Sequence, residues 1–417
     1  MRVQKSKGTR DFLPEEMTRF RHIEGIFRDI CLKWGYREIR TPTVEYLHLF
    51  TAAGTLTPGT LSKVYSFLDW DGWSGERVVL RPDGTIPVAR LYIDHLSGEK
   101  LARLFYVTNI FAFEETGKES REKWQCGVEL IGADSTAADV ELITIALQTL
   151  RQIGLKNVDL KLSHAGLIRA LLAGFGLSPE EQGKVFDQIL DGDLAVLARL
   201  RDQTPNLVRL LTPLLDLKGE SSSFLKNLRA VFNRDLPEFS PALDSFIAIT
   251  DLLTALGQKY EIDIASGRGF EYYTGVIFQV FAGDARVAAG GRYNALIPLL
   301  GGDNVPASGF ALYLEPLMSM VKSPRTESPP GAVLVRPQGN KLETAKLAHD
   351  VVARLHGSGV VAHMDVAQES EVGNYQWLLY VRESVRPFKL VDSSGKTRAE
   401  LPSVDAVIRL FEGKNAG

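Results

Sequence analysis

Several polar side chains of this sequence could together bind a small amino acid. They are Asp83, Thr85, Gln125, Glu129, Arg268, Tyr272, Tyr273 and Tyr293. Carboxylate and amide oxygens accept hydrogen bonds from an ammonium group, and an arginine can hold a carboxylate with two parallel hydrogen bonds. A buried carboxylate beside a tyrosine hydroxyl suits an imidazole or another small ring with a donor and an acceptor. We therefore predict an amino-acid site, with simple packing of the adjacent tyrosines as the alternative.

Two of these side chains, Gln125 and Glu129, lie in a predicted β-hairpin. Its strands span residues 105–113 and 124–132 and are joined by a charged loop. Because successive side chains of a strand point to opposite faces, Gln125, Gly127 and Glu129 share one face. Gly127 would then leave room for a ligand between the amide and the carboxylate. A surface hairpin with one wet face is the alternative, but aromatic residues on both strands favour a place in a larger sheet.

The composition is that of an ordinary globular chain. Its 417 residues are 45% hydrophobic and 24% charged, and the net charge of −3 lacks the basic excess of a general nucleic-acid binder. Cys31 and Cys126 are far apart, have no metal-type spacing and fit a reducing compartment. No apolar run approaches the roughly 18 residues of a membrane span, and the N-terminus lacks the apolar core of a secretion signal. We predict a cytoplasmic protein with no metal site and no cofactor.

The predicted elements place the polar groups on strands and turns. A helix from Pro14 to about Lys33 begins with proline and two glutamates, which suit a first turn. A short strand at 78–81 runs into the turn 82–85, which carries Asp83 and Thr85. Strands return at 262–264, 272–281 and 286–289. These elements bring the candidate residues into one strand-rich region.

The chain divides into two predicted domains. The first spans residues 1–325 and includes a mostly helical insertion at about 178–258. A linker rich in proline and serine follows, and linkers of that composition separate folded units. The second domain, 330–417, has the alternation of a small α/β unit.

The motifs of the first domain resemble those of class II aminoacyl-tRNA synthetases, and specifically of histidyl-tRNA synthetases. The matching segments are GTRDFLP, GYREIRTPTVEYLHLF, LRPDGT, WQCGVELIG, RGFEYYTGVIF, AGGRYNALI and ASGFALYLEPL. The resemblance implies an α+β fold, in which an antiparallel sheet is flanked by helices, with a helical insertion and a C-terminal domain similar to an anticodon-binding domain. It also implies a homodimer through the first-motif region. The candidate residues match positions that line the family's histidine site, except that Asp83 stands where the family usually has glutamate.

The nucleotide half of the synthetase site does not match. The resemblance implies an ATP-binding arginine beside Phe111, where this chain has Ala112, and a second one where it has Pro316. Adenylation brings ATP phosphates against a carboxylate, so the loss of preorganised cations should remove most of the rate. Compensation by Lys118, Arg121 or Lys123 is the alternative. We predict that the chain is not an enzyme.

A chain that keeps the amino-acid pocket but lacks the ATP-binding arginines resembles the regulatory subunits of ATP phosphoribosyltransferase. That resemblance implies a short-form catalytic subunit as partner, a hetero-octamer, and feedback inhibition by histidine at the first step of L-histidine biosynthesis. It leaves open whether histidine binds the retained pocket or a subunit interface. An active histidyl-tRNA synthetase and a free histidine- or tRNA-binding module are the other hypotheses. Acidic residues of the C-terminal domain, Asp365, Glu369 and Glu371, make nucleic-acid binding unlikely to be strong.

Overall fold

The computed structural model describes most of the chain. The described residues are 4–54, 61–70, 75–114, 116, 120–173, 177–178, 181–182, 184–185, 188, 195, 218–232, 239–264, 273–322, 332–339, 341–366 and 375–415. The helices are α1 (Pro14–Lys33), α2 (Leu47–Ala52), α3 (Thr85–His95), α4 (Thr136–Gln152), α5 (Ala165–Ala173), α6 (Ser222–Phe232), α7 (Ser240–Ala255), α8 (Leu296–Leu299), α9 (Leu314–Met320), α10 (Leu342–Gly357) and α11 (Val404–Asn415). Within these ranges no helix is long and apolar enough to cross a membrane.

The strands of the described residues form three sheets. They are β1 (Arg37–Glu38), β2 (Val44–Tyr46), β3 (Ser66–Trp70), β4 (Gly75–Leu80), β5 (Ala102–Phe111), β6 (Glu122–Ile131), β7 (Asp159–His164), β8 (Lys218–Gly219), β9 (Glu261–Asp263), β10 (Val276–Ala282), β11 (Ala285–Arg292), β12 (Ala307–Tyr313), β13 (Val333–Pro337), β14 (Ala362–Met364), β15 (Trp377–Val381), β16 (Phe388–Asp392) and β17 (Thr397–Leu401). The chain separates into two compact units, residues 1–322 and residues 323–417.

The first unit is built on a nine-stranded sheet with the order β1-β5-β6-β12-β11-β10-β7-β9-β8. Neighbouring strands of this sheet are antiparallel, except that β1 is parallel to β5 and β7 is parallel to β9. The sheet is therefore mixed, and the predicted α+β class with helices flanking a largely antiparallel sheet is confirmed. The short strand β8, at Lys218–Gly219, lies within the mostly helical insertion and pairs with β9. A two-residue strand is too short to leave a periodic pattern in the sequence.

The predicted hairpin lies near one end of this sheet, between β1 and β12. β5 and β6 pair in register from Ala102 opposite Ile131 to Phe111 opposite Glu122. β5 begins three residues and ends two residues earlier than predicted, and β6 begins two residues and ends one residue earlier, since strand ends are the least reliable part of an assignment from pattern alone. On its outer side β6 pairs with β12, and β5 pairs with β1. Neither strand of the hairpin is therefore an edge of the sheet.

Helix α1 covers one face of the hairpin. The ring of Phe27 meets Phe105 edge to face at 5.8 Å, and Phe20 meets Trp124 in the same way at 5.1 Å. Val128 is fully buried on this face. Gln125 and Glu129 point to the opposite face of β6, which α1 does not cover. The candidate site therefore lies on that face.

The turn that carries Asp83 is anchored by a buried arginine. Arg81 follows β4 in a three-stranded sheet of order β2-β4-β3, and its side chain is almost fully buried. Its guanidinium donates to the carbonyl oxygens of Asn109 at 2.7 Å and of Thr41 and Pro42 at 2.9 Å each. Charge-assisted hydrogen bonds of this kind hold the turn beside strand β5.

The second unit is a five-stranded sheet of order β14-β13-β15-β16-β17 with two helices on one face. β13 is parallel to β14 and β15, and the remaining pairs are antiparallel. Val351 of α10 and Val407 of α11 are fully buried in one core with Leu379 of β15. The unit is thus a small α/β domain, as the alternation of its sequence predicts.

Histidine 164, at the end of β7, should make the fold sensitive to acid. It is buried beside Phe246, with ring centroids 5.6 Å apart, and its Nδ1 has no hydrogen-bond partner within the described residues. Burial lowers the pKa of His164 to about 4. The unfolded chain therefore binds more protons below pH ~6.5, so stability is full above that pH and falls toward pH 4, by about 2 kcal/mol at pH 5.

Urea unfolding of the wild type and of His164→Gln at pH 7 and pH 5 measures this loss. The variant should lose less stability on acidification, because the group that charges has been removed. His95→Gln, at an exposed histidine of the same unit, is the control and should behave as the wild type. Equal acid sensitivity of all three proteins would show that other groups dominate.

Candidate functional site

The carboxylate of Glu129 is the centre of the candidate site. It is 1% exposed, and both of its oxygens accept hydrogen bonds from tyrosine hydroxyls. Tyr106 donates to Oε1 at 3.1 Å, and Tyr293 donates to Oε2 in a short hydrogen bond. Burial raises the pKa of Glu129 to about 8, and the hydroxyls of Tyr293, Thr85 and Tyr106 act against that rise. A buried carboxylate surrounded by hydroxyl donors can accept a further hydrogen bond from a cationic or polar ring.

A second carboxylate, that of Asp83, lies in the same site. Its Oδ1 accepts a hydrogen bond from the backbone N–H of Ile86 at 2.8 Å, at the start of α3. Burial raises the pKa of Asp83, and its charge in turn raises the pKa of Glu129. Two neighbouring carboxylates repel each other when both are ionised, so the site favours a ligand that brings a positive charge.

The ring of Tyr106 occupies the space that was expected to hold a ligand. A Cβ atom at Gly127 would lie 2.1 Å from Cζ of Tyr106, and one at Gly84 would lie 2.6 Å from its hydroxyl. Gly127 therefore makes room for Tyr106, and the expectation that it leaves space for a ligand is wrong. Tyr106 stands directly opposite Gly127 on the neighbouring strand. Knowledge of that pairing would have identified Tyr106 as a residue of the site. The register of the hairpin, however, cannot be read from the sequence.

Tyr273 and Tyr293 lie on the far side of Glu129. Their ring centroids are 6.3 Å apart, and both residues are buried. A Cβ atom at Gly291 would lie 2.8 Å from the ring of Tyr273, and one at Gly309 would lie 1.9 Å from Oε2 of Glu129. The glycines of β11 and β12 are thus required by the side chains of the site.

Gln125 and Thr85 complete the part of the site that the structure describes. Gln125 is 8% exposed and makes no side-chain hydrogen bond within the described residues, so its amide is available to a ligand. Thr85 is half-buried at the first position of α3. Thr85 lies beside both Asp83 and Glu129, and Gln125 lies on the same face of β6 as Glu129. Two further candidates, Arg268 and Tyr272, lie outside the described residues.

The positions expected to bind a nucleotide lie beyond the Gln125 end of this site. The backbone N–H of Ala112 donates to the carbonyl of Arg121 at 3.0 Å, directly after β5. Pro316 lies in the first turn of α9, where its missing N–H costs no helical hydrogen bond. Next to it, Glu315 accepts a hydrogen bond from the backbone N–H of Trp124 at 2.8 Å. Alanine, proline and an occupied carboxylate offer no cation to a phosphate group.

Arg121 is one of the three side chains that could replace the missing cations, and another of them, Lys118, lies outside the described residues. Its Nε donates to the carbonyl of Glu114 at 2.7 Å, and its guanidinium lies 4.7 Å from the ring centroid of Phe113. The aliphatic part of Arg121 packs where Gly8 has no side chain, since a Cβ there would lie 2.6 Å from Cγ of Arg121. These contacts hold the arginine in its own loop. Within the described ranges there is no cluster of acidic, histidine or cysteine side chains that could hold a metal ion.

The sheet order and the carboxylate site on its open face define a class II aminoacyl-tRNA synthetase-like protein. The family model described as histidyl-tRNA synthetase matches residues 8–317. An ATP phosphoribosyltransferase regulatory subunit of Dehalococcoides mccartyi is 49% identical over 99% of both chains. The chain belongs to the family of ATP phosphoribosyltransferase regulatory subunits.

Two further comparisons place the chain among synthetases and their relatives. A histidine–tRNA ligase of Methanosarcina acetivorans is 35% identical over 84% of this chain and 83% of the ligase. A crystal structure from Bacillus halodurans, titled as an ATP phosphoribosyltransferase regulatory subunit/histidyl-tRNA synthetase, superposes with a TM-score of 0.76. It covers 92% of this chain and 99% of its own, at 23% identity, and therefore shows the shared fold.

Proposed function

We propose that the chain is the non-catalytic regulatory subunit of ATP phosphoribosyltransferase and makes a short-form catalytic subunit active and sensitive to histidine. This places it at the first step of L-histidine biosynthesis. The observation that carries the proposal is an amino-acid site beside which Ala112 and Pro316 occupy the two positions expected to hold ATP-binding arginines. The full-length identity of 49% to a regulatory subunit supports the same assignment.

The ligand of the site is L-histidine in this proposal. The carboxylate of Glu129 and the hydroxyls around it suit the imidazole, because they can accept from one ring nitrogen and donate to the other. Asp83, Gln125 and Thr85 suit the ammonium group, which needs acceptors only. Arg268 is assigned to the ligand carboxylate, and Tyr272 and Tyr273 to the wall of the site.

The chain has no adenylation activity of its own in this proposal. Ala112 and Pro316 cannot supply the charge that offsets a triphosphate, and Arg121 is held by Glu114 and Phe113. Removal of one preorganised donor commonly costs about 10²–10³ in rate, so two losses should leave little activity. Histidine-dependent exchange of pyrophosphate into ATP would establish an active histidyl-tRNA synthetase instead.

Assembly is assigned to two surfaces. A homodimer through the first-motif region is supported by exposed apolar side chains on one face of the three-stranded sheet, among them Val44, Tyr46 and Phe67. The C-terminal domain, from about residue 330, is a candidate surface for the catalytic subunit in a hetero-octamer. A cytoplasmic location is supported by Cys31 and Cys126, which are buried free thiols.

Mixing this chain with a short-form catalytic subunit tests the assignment. We expect a complex on size exclusion with light scattering, and a rise in phosphoribosyl transfer that histidine then suppresses. Coupling between two sites typically amounts to about 1–3 kcal/mol, which corresponds to roughly 5- to 150-fold in effector concentration or activity. Absence of both a complex and any change in transferase activity would rule the assignment out.

A further inference from the structure

Strand β12 presents an uneven row of side chains to the candidate site. Gly309 stands opposite Glu129, Ala311 opposite Gly127 and Tyr313 opposite Gln125. Directly opposed residues of antiparallel strands share a face, so all three point toward the site. The row begins with two small residues, of which Gly309 makes room for the carboxylate of Glu129, and ends with a large ring.

The ring of Tyr313 is held in place by Arg286. A register shift between Val280 and Phe281 places Arg286 opposite Phe281, so that its side chain joins the face that Ala289 also occupies. The guanidinium of Arg286 lies 5.5 Å from the ring centroid of Tyr313, which is the geometry of a cation–π contact.

The surroundings of Tyr313 place it inside the site. Burial raises the pKa of its hydroxyl, the charge of Arg286 acts against that rise, and the charge of Asp83 adds to it. Tyr313 also stands opposite Gln125, on the face of the sheet that carries Glu129. The side chain of Tyr313 accordingly lies among the groups assigned to the ligand.

Tyr313 stands between the two ends of the site. Arg121 lies immediately before β6, and its carbonyl oxygen accepts a hydrogen bond from the backbone N–H of Ala112. From there β6 runs past Gln125 to Glu129 at the other end of the site. Tyr313 faces Gln125, and α9 with Pro316 follows it immediately. Any group that extends from an amino acid at Glu129 toward the Ala112 end therefore meets this ring.

We propose that Tyr313, packed under Arg286, is a specificity-determining residue that admits a free amino acid and excludes aminoacyl nucleotides. This inference rests on the proposed histidine site and adds a steric reason to the missing cations. It explains how a synthetase-like pocket can sense free histidine in the presence of larger adenylate-type molecules. Exclusion by a clash is a common route to specificity.

Calorimetry with two probes tests the proposal on the full-length chain. The probes are L-histidine and the non-hydrolysable adenylate analogue histidyl-sulfamoyl adenosine. We expect the wild type to bind histidine, and to bind the analogue with at least about tenfold lower affinity. The affinity of Tyr313→Ala for the analogue should be about tenfold higher than that of the wild type. Tyr313→Phe keeps the ring and should still exclude the analogue.

A second variant keeps the test valid if Tyr313→Ala does not fold. Arg286→Ala keeps the ring of Tyr313 but removes the guanidinium that packs on it. Its affinity for the analogue should therefore lie between those of the wild type and of Tyr313→Ala. Analogue binding by the wild type as tight as that of histidine would overturn the proposal, as would equal exclusion by all variants that bind histidine. Failure of the wild type to bind histidine at all would instead overturn the proposed histidine site as well.

Discussion

Glu129→Gln should lose about 100-fold in histidine affinity while its fold becomes more stable at neutral and alkaline pH. A hydrogen bond to a charged group contributes roughly 1.5–3 kcal/mol, and the variant cannot ionise to form such a bond when the ligand binds. The tyrosine hydroxyls can still bond to the amide, because a hydroxyl can donate or accept. Binding and stability should therefore change in opposite directions.

The stability gain follows from the pKa of Glu129, which burial raises to about 8. The folded chain holds this proton more tightly than the unfolded chain, so folding becomes less favourable as the pH rises from 4.5 to 8. Ionisation of the unfolded carboxyl makes this cost on the order of 4 kcal/mol at pH 7.5. The variant does not titrate here and should not show this loss.

Two measurements check this prediction. Calorimetry with histidine at pH 7.5 compares the wild type with Glu129→Gln, and urea unfolding without ligand at pH 6 and pH 8 compares their stability. Glu76→Gln, at an exposed glutamate of β4, is the matched control and should change neither quantity. Undiminished histidine binding by Glu129→Gln would mean that the effector binds elsewhere, for example at a subunit interface.

Gly127→Ala should damage both the fold and the site. The added Cβ would lie 2.1 Å from Cζ of Tyr106, so the ring must move away from its place between Gly127 and Gly84. Overpacking of this kind typically costs about 1–3 kcal/mol. Displacement also breaks the hydrogen bond from Tyr106 to Glu129, which should lower histidine affinity by roughly tenfold.

A double-mutant cycle with Tyr106→Ala separates the clash from other effects. Removal of the ring makes space for the new methyl group, so the two changes should be far from additive in unfolding free energy. Gly25→Ala is the matched control, since a Cβ there has no atom within 4 Å, and it should be neutral or stabilising. Additive losses would show that Gly127 does not exist to accommodate Tyr106.

The core of the site could be read from local patterns, whereas the class of the fold followed from motifs that resemble those of the synthetase family. The alternation around Gln125 and Glu129 predicted one strand with both groups on one face, and the pairing of β6 places them so. Proline and glutamates at Pro14 predicted the start of α1, which the structure confirms. Such features depend on near neighbours in the chain, which the sequence contains.

What the sequence by itself determined was which polar groups the proposed site could contain, and that Ala112 and Pro316 stand where the family resemblance implies two arginines. Only the tertiary structure decided what surrounds them. Tyr106 fills the space at Gly127 because of the register of a hairpin, and Tyr313 meets Arg286 because of a one-residue shift in another strand. Register and bulges arise from pairing between distant segments, and a shift of one residue reverses the face of every side chain.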